Sequence, residues 1–170
     1  MNTLVLFLIF CQAFGAFVGV LTSFWGEISY ILAMRDGKID AAERTHLRII
    51  GNGLRFGMTL LLLSSLALII VSYTLHGALQ PAMTASYWIF ISFAFLIIGI
   101  SWFLSRKNIS FVLGSAVLLT AWWLLVYLTL GQLSISYGAA AALFIVLAAV
   151  VYAVLCLIHF LALHSKGRWF

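Results

Sequence analysis

The chain has few charged residues, very few acidic ones and almost no proline. Only 8% of its 170 residues are charged, whereas a soluble domain carries about a quarter. So little polar surface cannot cover an exterior that faces water, which excludes a soluble globular protein and predicts that lipid is the solvent. A single proline and long unbroken apolar runs favour helices over the alternating strands of a β-barrel.

The sequence consists mainly of apolar runs of membrane-spanning length. They predict an all-α fold, a polytopic membrane helical bundle with five transmembrane helices in one membrane domain, residues 1–170. No Lys or Arg precedes the first run and no small-residue cleavage site follows it, so we interpret it as a retained helix rather than a signal peptide. The predicted spans are about residues 3–24, 54–73, 86–104, 109–130 and 137–161.

The only long polar passage runs from Trp25 to Gly57. It holds all four acidic residues and five of the nine basic ones. Asp40 and Glu43 have the spacing of a helix N-cap and its third residue, so a second helix is expected from Asp40 to about Tyr73. The first two helices are therefore predicted to form a long hairpin that extends into the cytoplasm, beyond the roughly 30 Å of hydrocarbon.

The basic residues decide the predicted orientation. With five spans, all nine of them fall on one side, and the positive-inside rule makes that side cytoplasmic. The expected location is the bacterial inner membrane, with the N-terminus outside and the C-terminus in the cytoplasm. Topology and anionic lipid headgroups explain the net charge of +5, so nucleic acid is not expected as a partner. The basic residues are Arg35, Lys38, Arg44, Arg48, Arg55, Arg106, Lys107, Lys166 and Arg168.

Two glycine pairs predict close packing of the first two helices. Gly15 and Gly19 form one GxxxG pattern, and Gly53 and Gly57 form a second. Such patterns allow two backbones to approach each other closely. Counted outward from the turn near Gly37, the two pairs lie at similar depth, which favours a tight helical hairpin.

The same counting places Glu27 opposite Arg48. Arg44, Arg48 and Arg55 follow one face of the second helix. A carboxylate facing this row indicates either an anion or proton site, or a structural ion pair at the water boundary. We favour the ion pair, because Arg44 and Arg48 are expected outside the hydrocarbon, where they can reach water or lipid phosphate.

The histidines are weak candidates for a metal or haem site. His159 and His164 are five residues apart, about 140° around a helix, so they cannot bind one ion from one face. His46 and His164 are expected at similar depth, but no pair has the spacing of a known metal motif. We therefore predict no cofactor, with haem b or copper as the alternative.

One further pattern covers the front of the chain. A helix with the pair Trp25-Gly26 precedes a charged loop, and the second helix carries Arg48 and the pair Ser64-Ser65. In these features residues 20–70 resemble the CopD-like (copper-resistance D) group of small bacterial inner-membrane proteins. The resemblance implies copper or haem handling. The chain departs from that group because its first span has no histidine and its outer loops are not rich in methionine.

No motif identifies a reaction, so three classes of function stay open. The prediction is a small integral inner-membrane protein that is not an enzyme. It would act as a membrane subunit or scaffold with a basic cytoplasmic face, as a homo-oligomer or with a membrane-protein partner. The alternatives are a CopD-like copper- or haem-handling protein and a small-molecule permease. A permease would need a polar cavity in the middle of the membrane.

Overall fold

The computed structural model describes residues 3–36, 41–76, 84–106, 108–131 and 136–164, with side chains except at 34–36, 41–47, 76 and 162–164. The described residues form five helices and no strand, which confirms the predicted all-α class. By length and composition, all five are apolar enough to cross a membrane. The helices are α1 (Thr3–Asp36), α2 (Ala41–His76), α3 (Ala85–Ser105), α4 (Phe111–Thr129) and α5 (Tyr137–His164).

A small polar residue sets the start of α4. The Ser110 side chain accepts a hydrogen bond of 3.4 Å from the backbone N–H of Leu113, which satisfies one of the donors that a helix leaves free at its first turn. The helix therefore begins at Phe111, two residues after the predicted start of the span. The predicted N-cap Asp40 and the turn near Gly37 lie outside the described residues.

The first two helices are the longest. They have 34 and 36 residues, so at 1.5 Å per residue each exceeds the roughly 30 Å of a hydrocarbon core. Both helices therefore extend beyond the predicted apolar runs 3–24 and 54–73.

Helix α4 lies at the centre of the bundle. It packs against α1, α3 and α5, and half of its apolar segment is buried, compared with 6% for α5. Trp122 and Leu125 are fully buried, while Trp123 is 45% exposed. Adjacent helical residues point about 100° apart, so one tryptophan of the pair faces the core and the other faces outward.

Helices α1 and α2 come into backbone contact at their glycines. A Cβ atom on Gly57 would lie 2.8 Å from the carbonyl oxygen of Gly15 and 3.1 Å from the backbone nitrogen of Gly19. A Cβ atom on Gly53 would instead meet the side-chain methyl of Thr22, at 2.5 Å. The two GxxxG patterns therefore lie at one level, and Gly15 and Gly57 make the closest approach.

Gly19 has a second neighbour, because it makes room for Trp122 of α4. A Cβ atom on Gly19 would lie 2.3 Å from the Cε3 and Cζ3 atoms of the indole ring. It would also lie 2.5 Å from Cδ2, so Gly19 packs against the face of the six-membered ring of the indole. The glycine that the sequence assigned to the α1–α2 contact therefore also positions the central tryptophan of the bundle.

Candidate functional site

The candidate site begins with a buried polar cluster of Glu27, Ser115 and His159, which belong to α1, α4 and α5. Glu27 Oε1 lies 2.9 Å from His159 Nε2, and the Ser115 hydroxyl donates a short hydrogen bond to Glu27 Oε2. Glu27 is 6% exposed and His159 is 8% exposed. Both carboxylate oxygens are therefore bound in a place with little water, where an unpaired charge would be costly.

The sequence around Glu27 explains which way its side chain points. Gly15, Gly19, Thr22 and Gly26 follow one another at steps of four, three and four and line the face of α1 that packs on α2. Glu27 comes one residue after Gly26, so its side chain points about 100° away from that face. It is thereby directed towards α4 and α5.

Two aromatic rings lie beside the cluster. Tyr30, three residues after Glu27 on α1, stacks on Phe111 at the start of α4 with a centroid distance of 3.7 Å. The Tyr30 ring centroid lies 5.7 Å from that of His159. The imidazole is thus held by the carboxylate at Nε2 and by ring packing at its side.

The order of the three groups decides what the cluster can do chemically. In a nucleophilic triad, a histidine lies between the serine and the carboxylate and takes the serine proton. Here Glu27 lies between Ser115 and His159, so the imidazole is on the far side of the carboxylate from the hydroxyl. The arrangement can link three helices or hold a proton, but it does not activate the serine as a nucleophile.

The structure gives Glu27 a different partner from the predicted one. Within the described side chains, its ion pair is with His159 and not with Arg48 or Arg55, both of which are exposed. The side chain of Arg44 lies outside the described set. The difference has a geometric cause, because the arginine row belongs to α2, which packs on the glycine face of α1, and Glu27 points away from that face.

Of the three histidines considered as metal ligands, only His159 has a described side chain, while His46 and His164 lie outside the described side chains. Among the described residues, no three His, Cys, Asp or Glu side chains are grouped. Sequence reasoning missed the pair of Glu27 with His159 because Glu27 was compared only with residues of the second helix, and His159 is 132 positions away in the chain. The available signal was one acid and one histidine expected near the same end of the bundle.

A cavity of about 640 Å³ lies beside the cluster, between the α1–α2 and α3–α4 pairs. Glu27 and Ser115 belong to its wall, which is otherwise mostly apolar. A volume of roughly 300–1,000 Å³ and an apolar wall with a few polar groups are typical of small-molecule sites. Its other polar wall residues include Thr22, Ser23, Arg55, Thr59, Ser101 and Ser105.

Two buried polar atoms of the cavity-lining residues, Ser23 Oγ and Trp122 Nε1, have no hydrogen-bond partner among the described residues. The indole N–H can only donate a hydrogen bond. A buried polar group left unsatisfied costs about 1–3 kcal/mol.

Comparison of the chain with protein-family models, with curated proteins and with solved structures finds no match. The resemblance of residues 20–70 to the CopD-like group therefore stays a prediction. Function has to be inferred from the cluster and the cavity.

Proposed function

We propose that the chain is an integral membrane protein, not an enzyme, that binds an amphiphilic small molecule in the cavity between α2 and α3. The observation that carries this proposal is the cavity. It has the volume of a ligand site and a mostly apolar wall that includes a few polar side chains. These are the features expected of a small-molecule site. The five apolar helices support the membrane part of the proposal.

The ligand would enter from the lipid phase. Helix α2 packs on α1 and α3 packs on α4, while α2 and α3 make at most marginal contact in the described part of the chain. Both helices line the cavity, so the space between them is a lateral opening. A molecule that is already dissolved in the bilayer would reach the cavity without passing through water.

The bacterial inner membrane, with the N-terminus outside, is the proposed location. Arg48 and Arg55 lie in the first half of α2, and Arg106 follows the end of α3. In an up-and-down bundle these positions share one end, which the positive-inside rule assigns to the cytoplasm. A subunit or scaffold role for this basic face, with anionic lipid headgroups or a membrane protein as partner, is compatible with ligand binding and stays a prediction.

Copper or haem b stays a prediction that follows from the resemblance alone. The Nε2 atom of His159 already contacts Glu27, which leaves that histidine without a free Nε2 for a metal. An absorption spectrum and a metal analysis of the purified protein would decide this alternative.

The proposed orientation predicts which loops an impermeant reagent can reach. Single cysteines at Gln80 and Ser134 should react with an impermeant thiol reagent added to intact cells, and cysteines at Gly37 and Ser105 should not. The two native cysteines, which are free, would first be replaced by alanine. The reverse pattern would contradict the orientation, and labelling within both sets would contradict the number of spans.

Filling the cavity at Gly51 is expected to abolish ligand binding. Gly51 lines the cavity, and a Cβ atom there would meet nothing within 4 Å. Gly51→Leu should therefore occupy the space without distorting α2. Binding would be measured as the rise in melting temperature of the detergent-solubilised protein with a panel of membrane amphiphiles. Wild-type protein should gain about 2.7 kcal/mol when the free ligand is at one hundred times its Kd, and Gly51→Leu should gain none.

Gly99→Leu is the matched control. Gly99 is a helical glycine of α3 that also has open space at its Cβ position, but it is not part of the cavity wall. This variant should bind as the wild type does. Unchanged binding by Gly51→Leu would show that the cavity is not the site and would favour the subunit or scaffold role.

A further inference from the structure

We infer that the ligand is an anionic amphiphile, an acyl chain with a carboxylate or phosphate headgroup, and that Arg55 binds the headgroup. The inference rests on the proposed role of the cavity as a ligand site. Arg55 belongs to the cavity wall and is exposed. Its guanidinium is therefore free to meet a group that enters between α2 and α3.

Arg55 is a cation within an apolar segment. It belongs to Arg48–Leu75 of α2, a segment that is apolar enough to cross a membrane. No ion pair joins Arg55 to a described carboxylate. Charged residues at such positions face a protein interior or cavity, pair with another group and mark ligand pathways. An anion in the cavity would provide the missing partner.

Glu27 does not provide that partner. Its carboxylate is the only acidic side chain that the structure describes, and both of its oxygens are taken by His159 and Ser115. The neighbouring Gly26 lies against Ile50, so Glu27 is level with the start of the apolar segment of α2. Arg55 is about one and a half turns further along that helix. The two charges therefore belong to different levels of the cavity.

The headgroup would be held by the guanidinium of Arg55. Trp122 also borders the cavity, but it is fully buried, so its indole N–H is not exposed to a ligand. Arginine suits this role because its planar fork binds a carboxylate or phosphate through two parallel hydrogen bonds.

The apolar part of the wall suits the rest of the molecule. Leu54, Met58, Ile97 and Leu118 come from three different helices and all line the cavity. An acyl chain can lie against these side chains and continue through the opening between α2 and α3 into the bilayer. Inorganic phosphate has no such chain, so it should bind far more weakly than an amphiphile with the same charge.

The purified protein in neutral detergent would be titrated with oleate, phosphatidylglycerol, the uncharged amphiphile monoolein and inorganic phosphate, with bound molecules counted by native mass spectrometry. Oleate or phosphatidylglycerol should bind at one molecule per chain. Monoolein, which has the acyl chain but no charged group, should bind about tenfold or more weakly, which is the factor expected from one charge-assisted hydrogen bond. Binding of oleate alone identifies a carboxylate, and binding of phosphatidylglycerol alone identifies a lipid phosphate. Equal affinity for charged and neutral amphiphiles would overturn the inference, even if no variant folds.

Arg55→Gln should lower the affinity for the anionic amphiphile about tenfold or more and leave the affinity for the uncharged monoolein unchanged. Arg55→Lys keeps the charge and should retain part of the preference. The control is Arg48→Gln, an exposed arginine on the same helix outside the cavity wall, which should bind as the wild type does.

The variants separate failure of this inference from failure of the proposed function. If Gly51→Leu abolishes binding and Arg55→Gln does not weaken it, the cavity binds a ligand but Arg55 does not hold the headgroup, so only the inference fails. If neither substitution changes binding, both fail. If Arg48→Gln weakens binding as much as Arg55→Gln, the anion binds to the basic surface in general, which overturns the inference.

Discussion

Glu27→Leu is expected to lower the free energy of unfolding by about 3 kcal/mol, because it leaves two buried polar groups unsatisfied at about 1–3 kcal/mol each. The substitution leaves the buried His159 imidazole and the Ser115 hydroxyl without their acceptor. Reversible unfolding of the protein in mixed micelles would measure the loss. A loss well under 1 kcal/mol would show that the cluster contributes little to stability.

A double-mutant cycle tests the contact itself. Glu27→Leu and His159→Leu should each be destabilising, and the double variant should cost less than their sum by about 1–3 kcal/mol, because it leaves no unpaired member of the pair. Additive losses would mean that the two side chains do not meet.

The matched cycle uses Arg48, the partner expected from sequence. Arg48 is exposed and forms no ion pair with Glu27 in the described part of the chain. The losses for Glu27→Leu and Arg48→Gln should therefore add to within about 0.5 kcal/mol. Coupling in this cycle and none with His159 would favour the pairing predicted from depth counting.

Gly57→Ala is expected to destabilise the fold by about 1–3 kcal/mol through overpacking. The new Cβ atom would lie 2.8 Å from the carbonyl oxygen of Gly15 and 3.1 Å from the backbone nitrogen of Gly19. Backbone atoms cannot rotate away as a side chain can, so the whole helix has to shift. Thermal melting in detergent, or the same unfolding assay, would measure the loss.

Two other glycine-to-alanine substitutions provide a comparison for the stability cost of Gly57→Ala. Gly53→Ala places its Cβ atom against the side-chain methyl of Thr22, which can move, so its cost should be smaller than that of Gly57→Ala. Gly99→Ala meets nothing within 4 Å and should be close to neutral. Equal effects at all three positions would show that the contact between α1 and α2 does not depend on close backbone approach.

Both predictions concern helix α1, which has two different faces. Its glycine face lies against α2, and Glu27 binds residues of α4 and α5 on another face. Because α1, α2 and α4 all contribute to the cavity wall, these two contacts hold the walls of the proposed ligand site at their separation. Their loss should therefore weaken ligand binding as well as stability.

The amino-acid sequence by itself determined the all-α class, the presence of five apolar helices and the common level of the two GxxxG patterns. These features depend on composition and on the 3.6-residue period of a single helix, both of which can be read along the chain. Glu27 was expected at the water boundary, and the structure makes it a buried residue.

Only the tertiary structure decided which residue neutralises Glu27 and where a ligand can bind. Counting along a hairpin gives the depth of a residue but not the rotation of its helix. On α1, a rotation of about 100° separates the face that packs on α2 from the side chain of Glu27, which meets His159. The cavity likewise depends on the separation of α2 and α3, which follow each other in the chain but make at most marginal contact in its described part. No local pattern records that separation, because the packing of α1 against α4 produces it.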